Sequence, residues 1–375
     1  MVKKKDDPYE QMIGIMMGAA DDSGTVAASY NTPAKMMQVV PVPSIALQYL
    51  INANGWPLGR RTSSAGEPKT GKSTFGYQLA AWFLEAGGVA NIIDTEGKPA
   101  CDSLESVVRS VNLPRDVLEQ RCRITGATTL EQWQSVVLNQ SKRLKETFAH
   151  PSECQMPSLI VLDTLTGVNS QAGSDELVEN GGGVAMSRVG QLNAKANYQF
   201  FREGEEMTLD QKTGERWPTL FHYVNQEQAR GDGFPGKVRA GGVSQDYYTS
   251  LDLVFKKGGT SSYNQTSKKT PDCGKVGTIV TIGVRFSTMG PDHKDHTICV
   301  PALVEYYQDD DNNKRSCVRF DWYAADTHFL LKNSKKIASV MDIEGKYVRG
   351  HGEYAKSEAL GITEHINARE FGMVL

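Results

Sequence analysis

No apolar run in the 375-residue chain approaches the roughly 20 residues needed to cross a bilayer, so no membrane partner is expected. Behind the basic start "MVKKKDDPYE" no apolar stretch follows, so no signal peptide is read and the cytoplasm is the expected compartment. The six cysteines, Cys101, Cys122, Cys154, Cys273, Cys299 and Cys317, contain no CxxC pair, which argues against zinc and against a disulfide framework. The seven histidines form no metal-binding set. An excess of positive charge is also lacking. With 41 basic and 44 acidic side chains the formal net charge is −3, so any contact with nucleic acid must come from a local patch. Neither an internal repeat nor a low-complexity linker is present.

What is present has the texture of an α/β protein. Runs such as "VANIID", "CRITG", "SLIVLD", "TLFHYVN" and "LDLVF" alternate with helical patterns, which implies crossover connections and a mostly parallel central sheet flanked by helices. Later, "VGTIVTIGVRFST", "HTICVPALVEYYQ" and "RSCVRFDWY" follow one another across short polar turns, as an antiparallel extension does. The acidic turn "DDDNNK", Asp309 to Lys314, reads as a solvated hairpin loop before a recognition patch. Polar, methionine-rich residues 1–40 read as a terminal arm, with a helix around Tyr9 to Ala19 as one reading. Residues 41–323 form the expected core, and 324–375 a small, partly helical C-terminal segment.

Chemistry concentrates in "SSAGEPKTGKSTFGYQLAAWFLEAGGVANIIDTEG". Gly66, Gly71, Lys72 and Ser73 fit the pattern G-x-x-x-x-G-K-[ST], whose glycines let backbone N–H groups wrap phosphates at a helix N-terminus. Glu67, Pro68, Lys69 and Thr70 fill the loop, and Thr74 begins the helix. Lys72 would reach the terminal phosphates and Ser73 would bind Mg2+. The plainer alternative is a glycine loop that caps an unrelated helix. Asp163 follows the apolar run Leu159 to Leu162, at the carboxyl edge where open parallel sheets bind ligands, and is the candidate second magnesium-ordering group. Asp94 and Glu96 end another buried strand on alternate positions and so face the same way. Glu96 is the candidate to orient or deprotonate an attacking water, and Asp94 could equally solvate the strand end.

These stretches, with "GWPLGR" before them and "SVNLPRDVLEQRCRITGATTLEQ" after, resemble the ATPase core of the RecA recombinases across residues 41–310. Within that family the chain looks closest to the phage-type recombinases related to UvsX. The resemblance implies a RecA-like P-loop ATPase core, with ATP and Mg2+ as cofactors. It implies filaments on single-stranded DNA, with double-stranded DNA as the second partner in homologous pairing and strand exchange. A helical homo-oligomer follows, with a single-strand-binding protein or loading mediator as a further partner. Two DNA-binding loops are implied, near 169–183 and 227–242. The first is acidic, with Asp175, Glu176 and Glu179, so its contacts would come from backbone amides or from Arg188. The second carries Arg230, Lys237 and Arg239 for phosphates, and Phe234 to stack on bases. Gln226 resembles the family's sensor of the terminal phosphate, with Asn225 as a substitute. Lys256 and Lys257 stand where residues reaching a neighbour's ATP are expected, or are a solvated strand-end pair. The family's N-terminal polymerisation helix is not recognisable in residues 1–40. Two alternatives stay open: a hexameric helicase or motor of the same fold, and a non-catalytic mediator that binds ATP and DNA.

Overall fold

The computed structural model describes residues 38–97, 102, 104–107, 113–180, 183–203, 208–210, 214–229, 237–239, 244–258, 277–288, 297–309, 311–333, 342–348 and 352–374. The arm 1–37, with its expected helix, lies outside them. In chain order the elements are β1 (Val39–Pro41), α1 (Ile45–Ile51), β2 (Gly55–Pro57), β3 (Arg61–Gly66), α2 (Lys72–Glu85) and β4 (Val89–Asp94). Next come α3 (Arg115–Arg121), β5 (Cys122–Gly126), α4 (Leu130–Thr147), β6 (Ser158–Asp163), α5 (Gln171–Asn180), α6 (Gly183–Glu203), β7 (Thr219–Ala229), β8 (Lys237–Arg239) and α7 (Ser244–Tyr248). The chain then runs through β9 (Leu251–Lys257), β10 (Gly277–Ser287), β11 (Thr297–Gln308), β12 (Lys314–Phe320), α8 (Trp322–Asn333), β13 (Ile343–Val348), β14 (Gly352–Ser357), β15 (Ile362–Asn367) and α9 (Ala368–Gly372).

The central sheet has the order β12-β11-β10-β9-β3-β7-β6-β4-β5, with β8 hydrogen-bonded to β7. From β9 to β5 every pairing is parallel, and β10, β11 and β12 add to β9 as antiparallel neighbours. The expected parallel core with an antiparallel extension is therefore present. Each face carries its own apolar layer. One gathers Trp56, Phe75, Phe83 and Phe255 around α2; the other gathers Trp133, Phe200, Phe201, Phe221 and Tyr223 beneath α4 and α6. Helices on both faces explain why β6 reads as an uninterrupted apolar run, since all six of its residues are buried.

The strand that carries the glycine loop was not among the expected strands. All six residues of β3 are buried, yet four of them are polar. Burial is tolerated because each polar side chain finds a partner on a neighbouring element. Thr62 Oγ1 and Ser64 Oγ lie 2.9 Å from the two ring nitrogens of His222 on β7. Ser63 Oγ donates to Asp252 on β9 at 2.5 Å, and Arg61 donates to the Phe201 carbonyl at 2.6 Å. Burial drives the His222 pKa down to about 3, so the ring is neutral and can donate on one side and accept on the other.

Three further expectations need correction. The first implied DNA loop is largely α5: Ser170 Oγ accepts from the Gly173 amide at 3.1 Å, and the Glu131 carboxylate accepts from the Gln171 amide, so two of the free amides at the helix start are satisfied. The boundary at 323 falls inside α8, whose Trp322 ring centre lies 5.5 Å from that of Trp82 in the core. Residues beyond α8 form a three-stranded antiparallel sheet, β13-β14-β15, closed by α9, so the segment read as partly helical is in large part strand. The 309–314 segment is a hairpin turn as read. The Asp309 carboxylate accepts from the amides of Asp311 and Asn313 and pairs with Arg315, whose bond pulls its pKa down to about 2.

Candidate functional site

Strand β3 ends at Gly66, between β7 and β9, where the register sets Gly66 beside Gln226 and Phe255. A side chain at Gly66 would meet the Phe255 carbonyl at 2.2 Å, and its φ of +154° is one that other residues rarely adopt. At the far end of the loop Gly71, at φ +87°, serves as N-cap of α2 without a side-chain cap bond. The N-terminal amides of α2 therefore open toward the loop interior, the arrangement that favours an anion. Lys72 turns back into that space. Its ammonium donates to the Glu67 carbonyl at 2.5 Å and to Thr70 Oγ1 at 3.5 Å, and the residue is only 6% exposed.

One residue further along, Ser73 Oγ donates to Asp163 Oδ1 at 2.9 Å. Asp163 is fully buried at the end of β6, and its other oxygen accepts from the Tyr77 hydroxyl at 3.2 Å. Parallel pairing of β4 and β6 sets Asp94 beside Asp163. Asp94 is buried and accepts from the Glu96 amide at 2.9 Å, so it shapes the turn that presents Glu96. Gln226 Nε2 then donates to Glu96 Oε1 at 3.3 Å, across three strands of the sheet. Asn225 points the other way, fully buried, with its amide nitrogen 2.6 Å from Gln245 Oε1. Gln226 rather than Asn225 is thus the amide on the cleft side. Pro68, Lys69, Thr70, Gly71, Lys72, Ser73, Thr74, Tyr77, Glu96 and Gln226 line one cleft of about 440 Å3.

The other expected residues are placed less centrally. Lys256 and Lys257 are exposed at the carboxyl end of β9, one and two positions beyond the Gly66 partner Phe255. They share the sheet edge of the loop without lining its cleft. Arg188 on α6 is exposed and lies 3.4 Å from the Glu176 carboxylate of α5. Arg230 and Phe234 lie outside the described residues. Lys237 and Arg239 belong to β8, which pairs with the end of β7 in the register Lys237↔Ala229 and Arg239↔Glu227; their side chains are outside the description. Sequence reasoning missed Tyr77, although its spacing of four after Ser73 puts both on one helix face. It also missed Arg285 on β10, which pairs with Glu227 at the end of β7 and lies 3.4 Å from buried Asp252. Nothing local in the sequence signals that bridge.

No protein-family profile matches the chain. It is 32% identical over 73 residues to Protein RecA of Bacteroides thetaiotaomicron, a stretch covering 20% of this chain and 22% of that protein. It is 34% identical over 73 residues to Protein RecA of Tropheryma whipplei, covering 20% of this chain and 17% of that protein. The chain thus matches about a fifth of the length of these curated relatives. The fold is α/β with a largely parallel sheet, and the local similarity supports a RecA-like relationship at that coarse level. No described helix is long and apolar enough to cross a membrane.

Proposed function

We propose that the chain is a DNA-dependent ATPase that assembles as an ATP-bound filament on single-stranded DNA and promotes homologous pairing and strand exchange in recombination and repair. The observation that carries this reading is the convergence of Lys72, Ser73, Glu96 and Gln226, from three separate segments, on one cleft at the carboxyl edge of the sheet, with the buried Asp163 carboxylate bonded to Ser73 behind it. Open parallel sheets bind ligands at that edge.

Each group has a role suited to its chemistry. The loop amides and Lys72 hold the phosphates of ATP, replacing the internal bonds that Lys72 makes to Glu67 and Thr70. The Ser73 hydroxyl and the Asp163 carboxylate are hard oxygen donors 2.9 Å apart, the spacing of two adjacent ligands around Mg2+ at about 2.0–2.1 Å each, so the pair fits that ion. When bound, Mg2+ supplies positive charge that offsets phosphate charge. Tyr77 keeps the Asp163 carboxylate oriented by its second oxygen. Glu96 accepts a proton from, or orients, the attacking water, and Gln226 holds that carboxylate until a phosphate oxygen competes for its amide. Because β7 runs unbroken from the sheet centre through Gln226 to Ala229, a shift of Gln226 moves the root of the second implied DNA loop.

The closer kinship with phage-type recombinases, double-stranded DNA as second partner, and a single-strand-binding or loading partner belong to the same proposal and rest on the sequence resemblance. Electron microscopy of the protein with single-stranded DNA and a slowly hydrolysed ATP analogue tests it. Open helices are expected; closed rings would point to a motor, and no assembly with no ATP turnover to a mediator.

A further inference from the structure

At the opposite end of the sheet from the glycine loop, the starts of β4, β5 and β6 frame a second cleft of about 600 Å3 beside α3 and α4. Since β6 is a six-residue strand, the two clefts are separated by roughly 20 Å of strand at about 3.3 Å per residue. Three elements each contribute a guanidinium to it: Arg121 from the end of α3, Arg123 from β5 and Arg143 from α4. No carboxylate lines the cleft, and among the described residues none of the three arginines forms an ion pair. Gln120, Asn139 and Gln140 add carboxamides at the rim, above a floor that includes Leu144.

In a chain whose formal net charge is −3, three uncompensated guanidiniums in one concavity are a local reversal of sign. Like charges held together repel one another, and that cost is relieved by an anion able to meet several of them at once. Guanidinium groups are weakly hydrated and fork-shaped, which suits the paired oxygens of an oxyanion rather than a halide, and three of them on separate elements suit the several oxygens of a phosphate or pyrophosphate. Carboxamides at the rim can donate to and accept from a sugar or base edge, which a bare inorganic anion would not use. We infer that this cleft is a second phosphate-binding site, distinct from the nucleotide cleft. Two sources present that chemistry: a free pyrophosphate-bearing ligand and the phosphodiester backbone of a nucleic acid.

The test uses the full chain and its Arg121→Gln/Arg123→Gln/Arg143→Gln variant in two assays. Calorimetric titration with inorganic pyrophosphate should show one binding site fewer in the variant than in the wild type. Anisotropy titration of a labelled oligothymidylate across a salt series identifies the source: a backbone occupant lowers the log–log salt slope by about 0.7 for each lost contact, up to about 2 for all three. Loss of the pyrophosphate site with an unchanged slope assigns the cleft to a free ligand, and loss of both assigns it to the backbone. Equal pyrophosphate stoichiometry together with an equal slope overturns the inference. ATP turnover without DNA, which none of the three side chains serves, should stay at the wild-type rate. If the triple variant does not fold, single Arg123→Gln and Arg143→Gln changes at these exposed positions carry the same two measurements.

Discussion

Replacing His222 by Gln should change how the protein's stability depends on pH, in a direction the structure fixes. His222 is fully buried between Thr62 and Ser64, with its pKa lowered to about 3 by burial against an ordinary 6.5. Between those values the unfolded chain takes up a proton that the folded chain refuses, so stability rises with pH across that window and is lost as pH falls. Above about 6.5 the group contributes no pH dependence. Integrating from pH 7 to pH 5, with 1.36 kcal/mol per unit, the histidine alone removes about 2 kcal/mol. Asp326 works the other way: burial raises its carboxyl to about 6, so the folded state takes the proton first and gains about 1.3 kcal/mol over the same interval. Comparing variant with wild type cancels the Asp326 contribution. Urea unfolding followed by the fluorescence of the five tryptophans, one of which, Trp56, has its ring centre 6.3 Å from the imidazole, reports both proteins at pH 7 and pH 5. Glutamine cannot titrate and replaces two hydrogen bonds imperfectly, so the variant should be less stable at pH 7 by roughly 1–3 kcal/mol. That deficit should shrink by about 2 kcal/mol at pH 5. A deficit that stays constant, or grows, would refute the claim that a neutral buried imidazole holds β3.

Lys72→Ala should lose ATP turnover because the phosphates lose a positive partner, whereas Glu96→Gln should keep nucleotide binding and lose hydrolysis; wild-type phosphate release by Glu96→Gln on DNA would remove Glu96 from its role. Alanine at Arg230, Lys237 and Arg239 together should weaken single-strand binding and reduce its salt slope by up to about 0.7 per contact, with ATP affinity in the absence of DNA unchanged. An equal slope in that variant would place the DNA site elsewhere. Lys256→Ala/Lys257→Ala should bind ATP yet show little DNA-stimulated turnover, and some activity should return when it is mixed with Glu96→Gln on single-stranded DNA, since one interface then combines an intact Glu96 with intact lysines. Full activity of the double-lysine variant alone would reject a catalytic role for the pair.

The strands that were legible in the sequence are those dominated by apolar residues, such as β6 and the start of β9. β3 was not, because its stability comes from hydrogen bonds to His222 and Asp252, 158 and 189 residues away, and a local pattern holds no trace of such partners. The strands β13 to β15, "IEGKYV", "GEYAKS" and "ITEHIN", likewise escaped because their few apolar residues do not alternate cleanly. In the cleft, Lys72 and Ser73 were legible because a phosphate loop confines its chemistry to eight consecutive positions. Glu96 and Asp163 were legible because each directly follows or closely trails an apolar run. Arg285 and Gln245 were not, since their contacts depend on register between distant strands.

Helix α8 has two inner faces. Trp322 and Phe329 belong to the main apolar layer, and the Asp326 carboxylate accepts from Ser44 Oγ at 2.7 Å and the Ala46 amide at 2.9 Å, capping α1. On its other side Thr327 donates to the Ala368 carbonyl at 2.6 Å, and Gly372 sits so close to the Tyr323 backbone that an added Cβ would lie 2.1 Å from the Tyr323 carbonyl oxygen. A wall shared in this way couples the melting of the rooms on either side. The β13-β14-β15 lobe and the large sheet lose a common surface when either opens, so scanning calorimetry on the intact protein should show them in one endotherm, and a shortened chain that stops at the 323 boundary should expose Trp82 and the start of α1 together.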